Sequence, residues 1–227
     1  MTEAQARELL ERARLLLLDF DGPVCSVFAG FPADVVAEQL RDVLADGRHV
    51  DFPEPVAAAT DPFDVFRYAA TVSDEDARMV NAAFTAHEVE AIATATPAPG
   101  AHELIRAWKR AGRELAIVSN NSAHAVRAYL DLHGLHRYVD HIAARTSEDP
   151  EQLKPRTWLL DQALTHFHVA PAEAVLIGDS PTDVEAARSA GCPVIGYANK
   201  PGKERTLVNA DVIITSVAAK LAPEARV

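Results

Sequence analysis

Asp19 and Asp21 close the run RLLLLDFDG. In an extended strand, side chains two residues apart point to the same side, so both carboxylates face one site while Phe20 points away. Two carboxylates so close repel each other unless a cation or a shared proton stands between them. An ordinary turn ahead of Gly22-Pro23 is the alternative reading of the same residues. A second polar cluster, Ser119-Asn120-Asn121-Ser122, follows the apolar run RELAIV where a strand hands over to a helix. Backbone N–H groups presented there suit phosphate oxygens, and Ser122 alone would also serve as a helix N-cap. The third cluster runs from Gly178 to Asp183. Ser180, Pro181 and Asp183 have the order of a capped helix start, which leaves Asp179 without a structural role. Asp179 ends an apolar run as Asp19 does, so three carboxylates converge at the carboxyl ends of parallel strands, where open α/β sheets place ligands. Hard oxygen donors of this kind suit magnesium. Lys154, between the second and third clusters, would neutralise carboxylate and phosphate charge; as a lone lysine its ordinary place is a solvated surface.

Positioning these residues requires strands that empty into one site. RLLLLDFDG, RELAIVSNNS and EAVLIGDSPTD read as buried parallel strands, because each is apolar throughout and stops abruptly at polar residues. Helical patterns lie between them: HAVRAYLDLHG and VEAARSAG stop at Gly134 and Gly191, each suited to a left-handed C′ position. PVIGYA near 193–198 and ADVIITS near 210–216 read as further strands, ahead of a helix-like AAKL. Alternation of strands and helices predicts a doubly wound α/β sheet of at least five strands. Residues from about 25 to 95 break that rhythm with the helical stretches ADVVAEQLRDVLADG, DPFDVFRYAAT and EDARMVNAAFTAHEVEAIATA, so a helical insertion is expected there. PAPG at 97–100 marks the return to the sheet. Within the insertion, Phe63, Phe66 and Tyr68 are expected to pack in its core, with facing the substrate, together with Arg67, as the other option.

Composition limits the function classes. With 227 residues, 48% of them hydrophobic, the chain has enough apolar material for a large folded core without disulfides. A net charge of −11 repels nucleic acid and anionic membranes, so an anionic substrate would need local positive charge from a metal, a lysine or helix N-termini. Cys25 and Cys192 match no metal-binding spacing and read as reduced thiols, which points to the cytoplasm. The start MTEAQARELLERAR is charged throughout, unlike a signal peptide, and the apolar run from Leu15 to Leu18 is too short to span a bilayer. His166 and His168 form an H-x-H pair with no third ligand at a sensible spacing, and read as polar residues at a helix end.

Taken in order, DFDGPV, VSNN, LKP and GDSPTD resemble the four motifs of the haloacid dehalogenase-like (HAD) hydrolase superfamily, in the style of its phosphoglycolate phosphatase-like members. The resemblance implies a Rossmann-like core of residues 1–24 and 96–227, with a small C1-type helical cap at 25–95. It implies that Asp19 attacks phosphorus to form an aspartyl-phosphate, while Asp21 protonates the leaving oxygen and then activates water. Mg²⁺ would be held by a carboxylate oxygen of Asp19, the backbone carbonyl of Asp21 and the Asp179 side chain, with Asp183 nearby or acting through water. Ser119, Asn120 and Lys154 would hold the phosphoryl group. The expected activity is hydrolysis of a small-molecule phosphate monoester in a pocket that the cap opens and closes, with no protein partner called for. Pro23 departs from the threonine or valine often found at that position and brings neither a hydroxyl nor a backbone N–H. A phosphomutase acting on a sugar phosphate and a catalytically silent binding protein are the alternatives; metal-free dehalogenation would leave Asp179 without a task.

Overall fold

The computed structural model describes residues 3–47, 51–218 and 221–222. Its centre is β1 (Leu15–Leu18), four consecutive leucines that are all buried. The run is apolar throughout because both faces of the strand are covered: Leu16 and Leu18 enter one hydrophobic cluster, Leu15 and Leu17 another. Parallel partners flank β1 on both sides, β4 (Glu114–Ser122) pairing Leu15 with Glu114 and β6 (Ala174–Gly178) pairing Leu15 with Ala174. The sheet is completed by β5 (His141–Arg145), β7 (Val194–Tyr197) and β8 (Val212–Ile214), in the order β5-β4-β1-β6-β7-β8 with every pairing parallel.

Helices α1 (Glu3–Arg12), α6 (Ala101–Arg110) and α7 (Ala123–Leu132) supply Leu10, Trp108 and Tyr129 to the first cluster. On the other face, α8 (Trp158–Phe167) and α9 (Pro181–Ala190) supply Leu160 and Ala187 to the second. This is the doubly wound α/β arrangement that alternating strands and helices predict. The five expected strands are present, and a sixth, β5, joins them at one edge. Gly134 and Gly191 take positive φ at the ends of α7 and α9, as their placement after those helices predicts. Of the helix-like stretch AAKL, residues 219 and 220 lie outside the described residues.

Between β1 and α6 the chain forms a helical layer of α2 (Ala33–Asp46), α3 (Glu54–Ala57), α4 (Pro62–Val72) and α5 (Asp74–Ala91). It has its own core, in which Leu40, Val65, Phe66, Val80 and Phe84 are buried. Phe66 packs as expected from its helical spacing, and Tyr68 lies edge-on to Phe52. Two short antiparallel strands, β2 (Cys25–Ser26) and β3 (Thr96–Pro97), join where the chain leaves and re-enters the sheet layer. Among the described residues no helix is long and apolar enough to cross a membrane.

Candidate active site

All three polar clusters lie at the carboxyl ends of adjacent strands, β4, β1 and β6, so the parallel topology brings them together. Asp19 extends the β1 ladder by donating its N–H to the Ile177 carbonyl (2.9 Å), which sets its carboxylate just above the sheet. Phe20 turns into the core and meets Tyr129 edge-on at 5.3 Å. Asp21 faces the same cavity as Asp19, and its Oδ1 accepts a hydrogen bond from the Val27 N–H (2.9 Å). Gly22 has φ of +117°, and a Cβ there would come within 2.3 Å of the Asp179 carboxyl carbon, so the close approach of this turn to Asp179 requires glycine.

Lys154 is 2% exposed and lies among the carboxylates. Its Nζ donates to Asp19 Oδ1 (2.7 Å), Asp183 Oδ1 (2.5 Å) and the Val118 carbonyl (3.0 Å), which accounts for all three ammonium donors. Its backbone is held as well: Asn120 Oδ1 accepts from the Lys154 N–H (2.8 Å), and Asn120 Nδ2 donates to the Lys154 carbonyl (3.1 Å). Asp183 combines two roles. Oδ1 takes Lys154, while Oδ2 accepts from the Ser180 N–H (3.0 Å) and hydroxyl (2.6 Å), completing the capping box of α9. Asp179 Oδ2 accepts from Asn199 Nδ2 (3.0 Å) and is paired with the Lys203 ammonium.

Ser119, Asn120 and Asn121 form the opposite wall. The β4–β5 register shifts between Ser119 and Ser122, a bulge that displaces Asn120 and Asn121 from the regular ladder. Ser119 Oγ accepts from the Asn121 N–H (3.1 Å), and Ser122 caps α7 by accepting from the Ala125 N–H (3.2 Å). From the helical layer, Asp61, Phe63 and Arg67 close the cavity over Asp19, Asp21 and Asp179. Phe63 therefore does two things, packing on Phe84 at 4.9 Å and facing the cavity. The space is about 260 Å³, room for a small molecule only.

Burial dominates the electrostatics. It pushes the Asp19 carboxyl well above the usual carboxylate range, with Asp183 adding to the effect and Lys154 opposing it. Asp21 is pushed up to about 6 by burial, against the stabilising Val27 N–H, and Asp179 is raised by burial against the pull of Lys203. Burial would lower Lys154, but Asp183 and Asp19 outweigh it and hold the ammonium protonated. Oxygens of Asp19, Asp179 and Asp183 lie within 4.8 Å of one another. Carboxyl oxygens this close are hard donors that a divalent cation suits, and a cation there would favour their ionised forms against the burial that opposes them. The acidic set thus fits a metal ion, with Asp21 outside the tight trio.

Asn199, Lys203, Asp61 and the buried pair Glu88–Arg145 behind the bulge have no signal in the sequence motifs. His166 sits in the last turn of α8 and stacks on His141, while His168 caps that helix with φ of 52°. Neither belongs to a metal-binding group among the described residues.

Residues 60–197 match the family model described as Haloacid dehalogenase-like hydrolase. A phosphoglycolate phosphatase of Thiobacillus denitrificans is 35% identical over 124 residues, 54% of this chain and about half (54%) of that protein's length. A plasmid-borne phosphoglycolate phosphatase of Cupriavidus necator is 30% identical over 94% of this chain and 84% of its own. Among solved structures, CbbY from Rhodobacter sphaeroides in complex with phosphate superimposes with a TM-score of 0.64 at 22% identity, covering 90% of this chain and 94% of that one.

Proposed function

This chain belongs to the haloacid dehalogenase-like hydrolase family, and on that premise we propose that it is a magnesium-dependent phosphatase acting on a small phosphate monoester through Asp19. The observation that carries this reading is the Lys154 ammonium, which fixes Oδ1 of the buried Asp19 at 2.7 Å in a cavity walled by the 119–122 turn. With Oδ1 held, Oδ2 is the atom that attacks phosphorus. As the new O–P bond forms, the ester P–O bond breaks, and Asp21 gives its proton to the departing oxygen. A carboxyl raised to about 6 keeps a usable protonated fraction near neutral pH and takes a proton back from water in the second step. That water adds to phosphorus, inorganic phosphate leaves and the Asp19 carboxylate returns.

Mg²⁺ held by Asp19 and Asp179, with the Asp21 carbonyl and Asp183 close by, would supply the positive charge that lets an anionic nucleophile approach an anionic phosphate. The chain's own residues do the rest. Lys154 holds the nucleophile, and it reaches a phosphoryl oxygen only by exchanging one of its three partners. The side chain of Asn120 is engaged with the Lys154 backbone, so its contribution to phosphate holding comes from the main chain of the bulge. Helices α2–α5 act as the cap, with Phe63 and Arg67 meeting the organic part of the substrate. The names of the relatives make phosphoglycolate the first candidate, and a cavity of about 260 Å³ accommodates it.

The test is phosphate release from a panel of small monoesters, phosphoglycolate and hexose phosphates included, with and without Mg²⁺. Wild type releases phosphate only with the metal, and Asp19→Asn lowers the rate at least about 10³-fold. Undiminished turnover by Asp19→Asn, or turnover that survives complete chelation, would refute the mechanism. An isomerised hexose phosphate in place of free phosphate would identify a mutase.

A further inference from the structure

One fully buried ion pair has no part in the chemistry above. Arg145, at the end of β5, and Glu88, in α5, are 3% and 0% exposed, and Arg145 Nη2 donates to Glu88 Oε2 at 2.6 Å. Both residues also grip the bulge in β4. Arg145 Nε donates to the Asn120 carbonyl (3.1 Å). Glu88 Oε2 accepts from the Ser122 N–H (2.9 Å), and its Oε1 accepts from Asn121 Nδ2 (3.1 Å). The pair therefore holds the main chain on either side of Asn121.

On its far side Arg145 is fixed by the helical layer. Nη1 bonds to Asn81 Oδ1 and lies 3.4 Å from Thr85 Oγ1, both on α5. The guanidinium carbon stands 5.1 Å from the centre of the Phe66 ring and 4.6 Å from that of Phe84. A buried ion pair is a weak source of stability, because desolvating two charges offsets most of their attraction, and apolar side chains of similar volume would fill the same space. What such a pair supplies is fixed polar geometry, and the polar atoms it fixes are those of the turn facing Asp19.

We propose that Glu88 and Arg145 are positioning residues for the 119–122 turn, orienting its peptides toward a bound phosphoryl group from behind the cavity. The inference rests on the phosphatase reading, which makes that turn the phosphate holder. Neither residue lines the cavity, so each acts through the turn.

The test measures inorganic phosphate as a competitive inhibitor, with KM and kcat, for wild type, Glu88→Gln, Arg145→Lys and Asn81→Ala. Thermal denaturation gives the folded fraction, and calorimetry gives Mg²⁺ affinity. Per folded molecule, Glu88→Gln and Arg145→Lys are expected to weaken phosphate binding and raise KM about tenfold, leaving Mg²⁺ affinity unchanged. Asn81→Ala removes only an outer contact of Arg145 and is expected to fold, with phosphate binding weakened about threefold. Phosphate affinity within about twofold of wild type in every variant that folds would overturn the proposal, and Asn81→Ala decides the matter if the other two do not fold. If wild type itself neither binds phosphate nor hydrolyses a monoester with Mg²⁺, the phosphatase reading fails and this inference with it.

Discussion

Lys154 has three N–H donors, and the fold commits one to Asp19, one to the α9 capping carboxylate and one to the Val118 carbonyl of β4. Lys154 therefore joins all three polar clusters, the first and third through its ammonium and the second through its backbone bonds to Asn120, which explains why a lysine is almost completely buried here. Asp183 shows the same economy: a carboxylate has two oxygens, so the capping role and the site role are compatible. Gly22 is the residue on which this convergence depends most directly. Any side chain there meets the Asp179 carboxyl group head-on, and a φ of +117° is one that L-residues rarely adopt. Gly22→Ala is expected to cost roughly 1–3 kcal/mol of stability through backbone strain. Because Asp179 must move aside, the Mg²⁺ concentration for half-maximal activity should rise as well. Thermal denaturation and metal titration of the variant check both effects, and an unchanged metal requirement would show that Asp179 has room to spare.

At the level of elements, legibility followed burial. β1, β4 and β6 are covered on both faces, so they are uninterrupted apolar runs in the sequence, and their polar ends mark the site. The edge strand β5 is only HIAAR, three apolar residues between polar ends, and carries no such signature. Arg145 was invisible for the same reason, since its importance comes from ending a strand beside the bulge. Asn199 and Lys203 reach Asp179 only through the path of the loop after β7, which no local pattern encodes. The helices of residues 25–95 were legible from their periodicity, and the structure adds that they enclose a core of their own. That core touches the sheet's first cluster through Phe28 and Phe31, while its buried residues are distinct. Leu40→Ala, in the middle of α2, is therefore expected to destabilise the helical layer by about 2–5 kcal/mol. Amide hydrogen exchange should quicken across α2 and α4 while β1 and β6 keep their protection. Equal acceleration in both regions would mean that layer and sheet open as one unit.

Across the whole molecule, an all-parallel sheet sends every strand's carboxyl end to one side, so the acidic residues gather there, while several histidines lie on the flanking elements. His141 on β5 stacks against His166 on α8, with ring centres 4.1 Å apart and planes 16° from parallel. His102 on α6 bonds the Tyr129 hydroxyl at 2.8 Å and lies 4.9 Å from His133. Burial lowers the proton affinity of His141, with His166 adding to the effect; burial likewise lowers His102 and His133, aided by the nearby Arg106. A lowered folded value means that, below the ordinary imidazole value of 6.5, the unfolded chain takes up protons that the folded chain refuses. The histidine contribution to stability is thus complete above pH 6.5 and is lost as the pH falls below it. The raised carboxyls act in the opposite sense: their contribution is present in acid and disappears as the pH rises through their folded values, about 6 for Asp21. Comparing wild type with His141→Asn at constant Mg²⁺ separates the two, because the carboxyls are common to both proteins. Between pH 8 and pH 5.5 the Tm of wild type should fall more steeply than that of His141→Asn. Parallel profiles would mean that His141 accepts a proton as readily in the folded chain as in the unfolded one.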